Sequence, residues 1–143
     1  AGTRPSAHGG GRGSPEDLRR VLEDVGVDRL DHGADVVRDA RLLALVRERG
    51  TAVTCRALPG APAGGAAPSV VAALLRGGVR VAVVSGARPA ADLVALAREA
   101  DLDPDELVLL QRNAFEAAWV DDDEREGLLA ELEAYAALVA PDL

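Results

Sequence analysis

The side chains able to do chemistry in this sequence are few. There are two histidines, His8 and His32, and one cysteine, Cys55. His32 stands in Arg29-Leu30-Asp31-His32-Gly33, at the end of a short apolar run. A histidine at the carboxyl end of a barrel strand is where chemistry concentrates in that architecture. Asp31 beside it offers a carboxylate that either partners the imidazole or caps the turn. A catalytic zinc takes three protein ligands and leaves a fourth position for water. Two histidines and one cysteine leave little room for that count. A site of two histidines and one carboxylate is arithmetically possible, but no acidic residue has a spacing that suggests it.

Each of these residues also has a plain structural reading. His8 lies in a Gly-rich stretch and is expected to be exposed. His32 is open between a vestigial site residue and a hydrogen-bonded structural histidine. Cys55 ends an apolar strand and is expected to be a small core residue. Gly9 to Gly13 precedes a helix and has the look of an anion loop. It lacks the Gly-Lys-Ser/Thr ending and a convincing strand before it, so a linker is the better reading.

The elements that must position these residues follow from periodicity and punctuation. Residues 1–13 read as a flexible, Gly-rich segment, with an alternative short strand around Thr3–Ala7 that Pro5 weakens. Residues 14–143 read as one domain. Ser14-Pro15-Glu16-Asp17 is a helix start, with Leu18, Val21, Leu22 and Val25 at helical spacing and Gly26 at the end. A strand over 27–31 runs into His32-Gly33. A helix opened by Asp39 carries Leu42, Leu43, Leu45 and Val46. Residues 51–55 form a strand, 56–68 a loop and 69–76 a helix. Residues 79–84 give the clearest strand, followed by a helix over 90–100. Two further helices start at Asp103-Pro104 and at Asp121, ending near Trp119 and Val139. Strands alternating with helices of this length indicate parallel βα units.

Composition bounds the partners. The chain has 143 residues and a net charge of −8, with no nucleic-acid or anionic-membrane signature. One Phe, one Trp and one Tyr leave a core of Leu, Val and Ala. The basic residues are all arginine. No apolar run is long enough to span a membrane, and a single cysteine excludes an internal disulfide. A cytoplasmic protein is expected. Met is absent throughout, so the chain is expected to be processed or an excerpt of something longer.

In order and spacing these segments resemble the C-terminal half of the adenosine and adenine deaminases, zinc-dependent (β/α)8-barrel hydrolases. His8-Gly9-Gly10-Gly11 stands where the family has His-Ala-Gly-Glu. Arg29-Leu30-Asp31-His32-Gly33 matches Arg-Ile-(Gly/Asp)-His-Gly, and Asp31 is closer to the adenine deaminase branch. Val53-Thr54-Cys55 matches the strand entering Cys-Pro-x-Ser-Asn. Gly78-Val79-Arg80-Val81 enters the strand that ends in Asn-(Thr/Ser)-Asp-Asp-Pro. Segments 102–107 and 112–119 are similar to the last helices.

The resemblance implies an α/β fold of parallel βα units forming about half of a (β/α)8 TIM-type barrel, with extra C-terminal helices. It implies hydrolytic deamination of a purine, adenosine or adenine, releasing ammonia. It places His8 at a zinc-ligand position and His32 at the catalytic histidine, both vestigial here. The general-acid glutamate is replaced by Gly11, and the aspartate pair falls at Gly86 and Ala87. The other zinc deaminase signature, His-x-Glu with Pro-Cys-x-x-Cys, is absent. Zinc belongs to the family; the expectation for this chain alone is that it binds none and is inactive. The alternative is a non-catalytic pseudoenzyme that binds a purine or a partner chain. An open half-barrel is expected to pair with another half or with itself.

Overall fold

The computed structural model describes residues 5–9, 14–56, 66–86 and 88–139. Four short strands form one parallel sheet in the order β1-β2-β3-β4: Ser6–His8, Arg29–Asp31, Ala52–Cys55 and Val81–Val83. Helices follow each strand: α1 (Pro15–Arg20), α2 (Ala40–Arg49), α3 (Pro68–Arg76) and α4 (Pro89–Ala100). Two more, α5 (Pro104–Ala117) and α6 (Asp122–Val139), come after the last unit. This is the α/β half-barrel order expected from the sequence. Of the N-terminal 13 residues, Ser6–His8 form strand β1 and pair with β2; positions 1–4 and 10–13 lie outside the described residues.

The helix starts are chemically explicit. Ser14 and Asp17 form a reciprocal capping box, with Pro15 in the first turn. Asp39 accepts from the Arg41 and Leu42 amides at 2.9 and 3.1 Å. Asp103 and Glu106 repeat the box for α5, and the Asp121 carboxylate takes the Glu124 amide at 2.8 Å for α6. Each of these satisfies amides that have no partner within the helix. α1 continues into a wider π turn over Val21–Val25 before Gly26. α2 stops at Gly50, whose φ of 64° is the left-handed C-cap conformation that a glycine adopts without steric cost. Between β2 and α2 a 3-10 turn over Gly33–Arg38 buries Val36; the sequence reading did not anticipate it.

The core lies on one face of the sheet. Leu30, Val53 and Val81 stand in register across β2, β3 and β4, and all three are fully buried. Leu22, Leu42, Val46, Val71, Leu74 and Leu96 close over them from the helices. Leucine and valine fill this layer without an aromatic ring, as the composition requires. A parallel sheet covered by helices is expected to have such apolar strands. The opposite face carries Arg29 and Asp31 on β2 and Thr54 on β3, because successive side chains alternate across a strand.

The C-terminal helices are tied back to the βα units by ion pairs. Arg76 at the end of α3 grips Glu106 of α5 with two hydrogen bonds, at 2.6 and 2.9 Å, and donates to the Asp101 carbonyl at 2.8 Å. Arg80, just before β4, pairs with Glu116 at 3.1 Å. Arg112 of α5 reaches Glu133 of α6 at 3.1 Å.

Candidate functional site

The two histidines come together at the carboxyl ends of β1 and β2. His8 closes β1 and His32 follows β2, and their rings meet edge-on with centroids 4.8 Å apart and planes at 61°. Backbone packing makes this approach feasible. The Gly9 amide donates to the Asp31 carbonyl at 2.6 Å. A Cβ on Gly9 would stand 3.1 Å from the Gly33 Cα, and one on Gly33 would stand 2.8 Å from a Leu30 methyl. Each histidine is thus followed by a glycine at which a Cβ would be crowded, by Gly33 and Leu30 at position 9 and by Leu30 and Val53 at position 33.

His32 itself adopts φ 55° and ψ 38°, the left-handed region. Its amide donates to the Thr54 hydroxyl at 3.2 Å, and that hydroxyl donates to Asp31 Oδ1 at 3.0 Å. Asp31 is engaged by Thr54 and by Arg29, whose Nε lies 3.0 Å from Oδ1 and Nη2 3.4 Å from Oδ2. The sequence left Asp31 open between partnering the imidazole and capping the turn. In the structure it holds the backbone of the histidine indirectly, through Thr54. The Arg29 guanidinium in turn lies over Trp119, 4.1 Å from the ring centroid.

The other two strand ends are chemically quieter. Cys55 is buried in the core, and burial pushes its thiol up to about 12. A thiol so far from ionising is a packing group, as the sequence suggested. After β4 come Val84, Ser85 and Gly86; the Ser85 hydroxyl donates to Asp92 of α4 at 2.5 Å. Gly86 brings no ligand. Gly11, Ala87 and the segment after Arg56, the other positions matched to the deaminase motifs, lie outside the described residues.

Among the described residues no three histidine, cysteine or carboxylate side chains gather as a metal site requires. Among the described residues, then, the three-ligand set of a catalytic zinc is not assembled: the two histidine rings meet edge-on, and Asp31 is engaged by Arg29 and Thr54. Thr54 and Trp119 were not singled out from sequence. Thr54 is the one polar residue of β3, a signal that was present. The Arg29–Trp119 contact joins distant segments and leaves no local trace.

A cleft of about 570 Å³ opens at the amino-terminal end of the strands, lined by Arg29, Arg49, Arg80, Glu116 and Trp119 among others. It lies away from the histidines, at the end of the sheet that barrels use for stability. Its arginines are already engaged: Arg29 by Asp31, Arg80 by Glu116 and Arg49 by the Leu22 carbonyl. The histidine end remains the candidate site, because it brings together the two imidazoles.

The sequence model of the adenosine deaminase family matches residues 1–135. An uncharacterized deaminase of Schizosaccharomyces pombe is 34% identical over 83% of this chain and 38% of its own length. An adenine deaminase of Rhodopseudomonas palustris is 32% identical over 95% of this chain and 42% of its own. The crystal structure of an adenine deaminase from Arthrobacter aurescens superposes with a TM-score of 0.74 at 20% identity, covering 94% of this chain and 44% of that one. An amidohydrolase structure with bound zinc shares the fold at a TM-score of 0.73 and 18% identity, over 97% of this chain and 42% of that one. The chain spans about two fifths of the length of the curated relatives it matches. With the histidine pair, the half-barrel and the family match over nearly its whole length, this chain belongs to the adenosine deaminase family.

Proposed function

We propose that the parent reaction of this half-barrel is zinc-dependent hydrolytic deamination of a purine, on the adenine side of the family, and that this chain alone does not catalyse it. One observation carries the second part. His8 and His32 meet at 4.8 Å with no third metal-binding side chain gathered beside them among the described residues. In the family, zinc supplies an activated water. Here the chain's own residues hold two imidazoles in place and little else. The general-acid position is Gly11 and the aspartate positions are Gly86 and Ala87, so proton delivery to the ring and the remaining metal ligand have no side chain. Asp31 and the 32% identity to an adenine deaminase support adenine over adenosine. A cytoplasmic setting belongs to the same reading; no helix among the described residues is long and apolar enough to cross a membrane.

The test is ammonia release from adenine and from adenosine, with the zinc content of the purified chain measured alongside. The expected result is no release above buffer and zinc well below one per chain. Stoichiometric zinc with ammonia release would overturn the proposal.

A second reading is a pseudoenzyme that binds a purine or a partner chain without turnover. It is favoured by the sheet order, in which β1 and β4 are end strands, each paired on one side only among the described residues. Calorimetry with adenine, and size-exclusion chromatography across protein concentrations, separate its two forms. A heat of binding marks the first, and a concentration-dependent size with another half-barrel or itself marks the second.

A further inference from the structure

We propose that Arg29 and Trp119 are positioning residues for His32. They act through Asp31 and Thr54 on the main chain of the histidine, and so on the meeting of its ring with His8. This rests on the reading of His32 as a site residue and deepens it, by assigning what orients the imidazole.

The contacts run in one line. His32 carries a side chain in the left-handed region, at φ 55°. Residues other than glycine keep that conformation when their surroundings hold it. The hold comes from the neighbouring strand: the His32 amide donates to the Thr54 hydroxyl at 3.2 Å. A hydroxyl has one hydrogen, and Thr54 donates its own to Asp31 Oδ1 at 3.0 Å. That leaves a lone pair turned to the His32 amide. Threonine thus acts as a relay whose direction is set by the carboxylate.

The carboxylate is fixed in turn. Arg29 and Asp31 are two residues apart on β2 and share the sheet face opposite the core. Arg29 engages both carboxylate oxygens, at 3.0 and 3.4 Å, which defines the rotamer as a single contact does not. The two side chains are 22% and 28% exposed, so the pair is sheltered but not buried. Arg29 is steadied by the Trp119 ring at 4.1 Å. Trp119 lies in the turn between α5 and α6. The segment joining the C-terminal helices therefore bears on the site through the Arg29 guanidinium.

The test is NMR on the whole chain labelled with nitrogen-15. It reads the His32 amide shift and the cross-peak between the two histidine rings. Thr54→Val is expected to displace the amide and abolish the cross-peak, while Thr54→Ser, which keeps the hydroxyl, retains both. Trp119→Ala is expected to displace the His32 amide in the same direction, and Trp119→Phe, which keeps a π face over Arg29, restores it. The amides of Leu74 and Leu96 on the far helices report that the fold is intact. Should Trp119→Ala not fold, Trp119→Leu keeps the bulk without the π face and is read the same way. An unmoved His32 amide in a folded Trp119 variant overturns the proposal. So does a Thr54→Ser spectrum displaced as far as that of Thr54→Val. None of these signals depends on turnover or metal, so the deaminase reading and this one fail separately.

Discussion

Replacing Gly33 by alanine tests the close packing beneath the histidine pair. A Cβ at position 33 would stand 2.8 Å from Leu30 Cδ2, and 3.0 Å from both Leu30 Cγ and Val53 Cγ1. Leu30 and Val53 are both fully buried, in register on adjacent strands, so neither can yield without moving the core. Inserting a methyl group into a filled core costs about 1–3 kcal/mol. Against this, alanine loses less conformational entropy on folding than glycine, an offset of roughly 0.4–1 kcal/mol. The net expectation is a loss of about 1–2 kcal/mol. The assay is urea unfolding followed by circular dichroism, with the slope unchanged so that the midpoint reads stability. The double variant makes the test specific. In a Leu30→Val background, which withdraws atoms from the contact, adding Gly33→Ala should cost less than it does alone. A Gly33→Ala protein as stable as the parent would refute the reasoning, as would an equal cost in both backgrounds.

Two further outcomes follow from groups whose ionisation is displaced. Cys55 is held up to about 12 by burial, so in the native chain at about pH 8 it should resist iodoacetamide and react only as fast as the core opens. Denaturant should restore ordinary thiol reactivity, and native-state labelling at the free-thiol rate would contradict the buried placement. Glu106 is held below the usual carboxylate range, chiefly by its hydrogen bonds from Arg76 and then by the Asp103 amide. A depressed folded pKa stabilises the fold above the unfolded value, and that contribution is lost as pH falls through the folded one. Midpoints of thermal unfolding, taken from about pH 7 to about pH 3, should fall more steeply for the parent than for Glu106→Gln and converge at the acid end. Parallel curves would show that the Arg76 grip on α5 is not coupled to its charge.

Much of this fold was legible because each element announces itself locally. Ser14-Pro15, Asp39 and Asp103-Pro104 predict helix starts through cap chemistry, and all three occur where the sequence places them. The segment around Val81 is apolar at successive positions, which a strand buried beneath helices tolerates. The 3-10 turn over Gly33–Arg38 was not legible: a single short turn shows no repeat, and only Val36 and Gly33 are buried within it. The geometry of the candidate site was half legible. His8 and His32 carry family spacing, and the structure brings their rings together. The role of Asp31 was not, because its partners depend on which strand neighbours which. Thr54 meets Asp31 only once β2 and β3 are in register, and Trp119 meets Arg29 only once α5 has packed back on the sheet.

The stacked indole has an optical consequence. Trp119 is the only tryptophan and Tyr135 the only tyrosine, so the fluorescence of this protein comes almost entirely from one surface. Trp119 is 53% exposed and lies beneath a guanidinium, at the junction of α5 and α6. Its emission reports that junction and is blind to the leucine and valine layer beneath the sheet. A melting curve recorded by fluorescence would therefore follow the release of the C-terminal helices from Arg29. Circular dichroism would follow the whole chain. Where the two curves separate, the junction of the last two helices has loosened before the half-barrel unfolds.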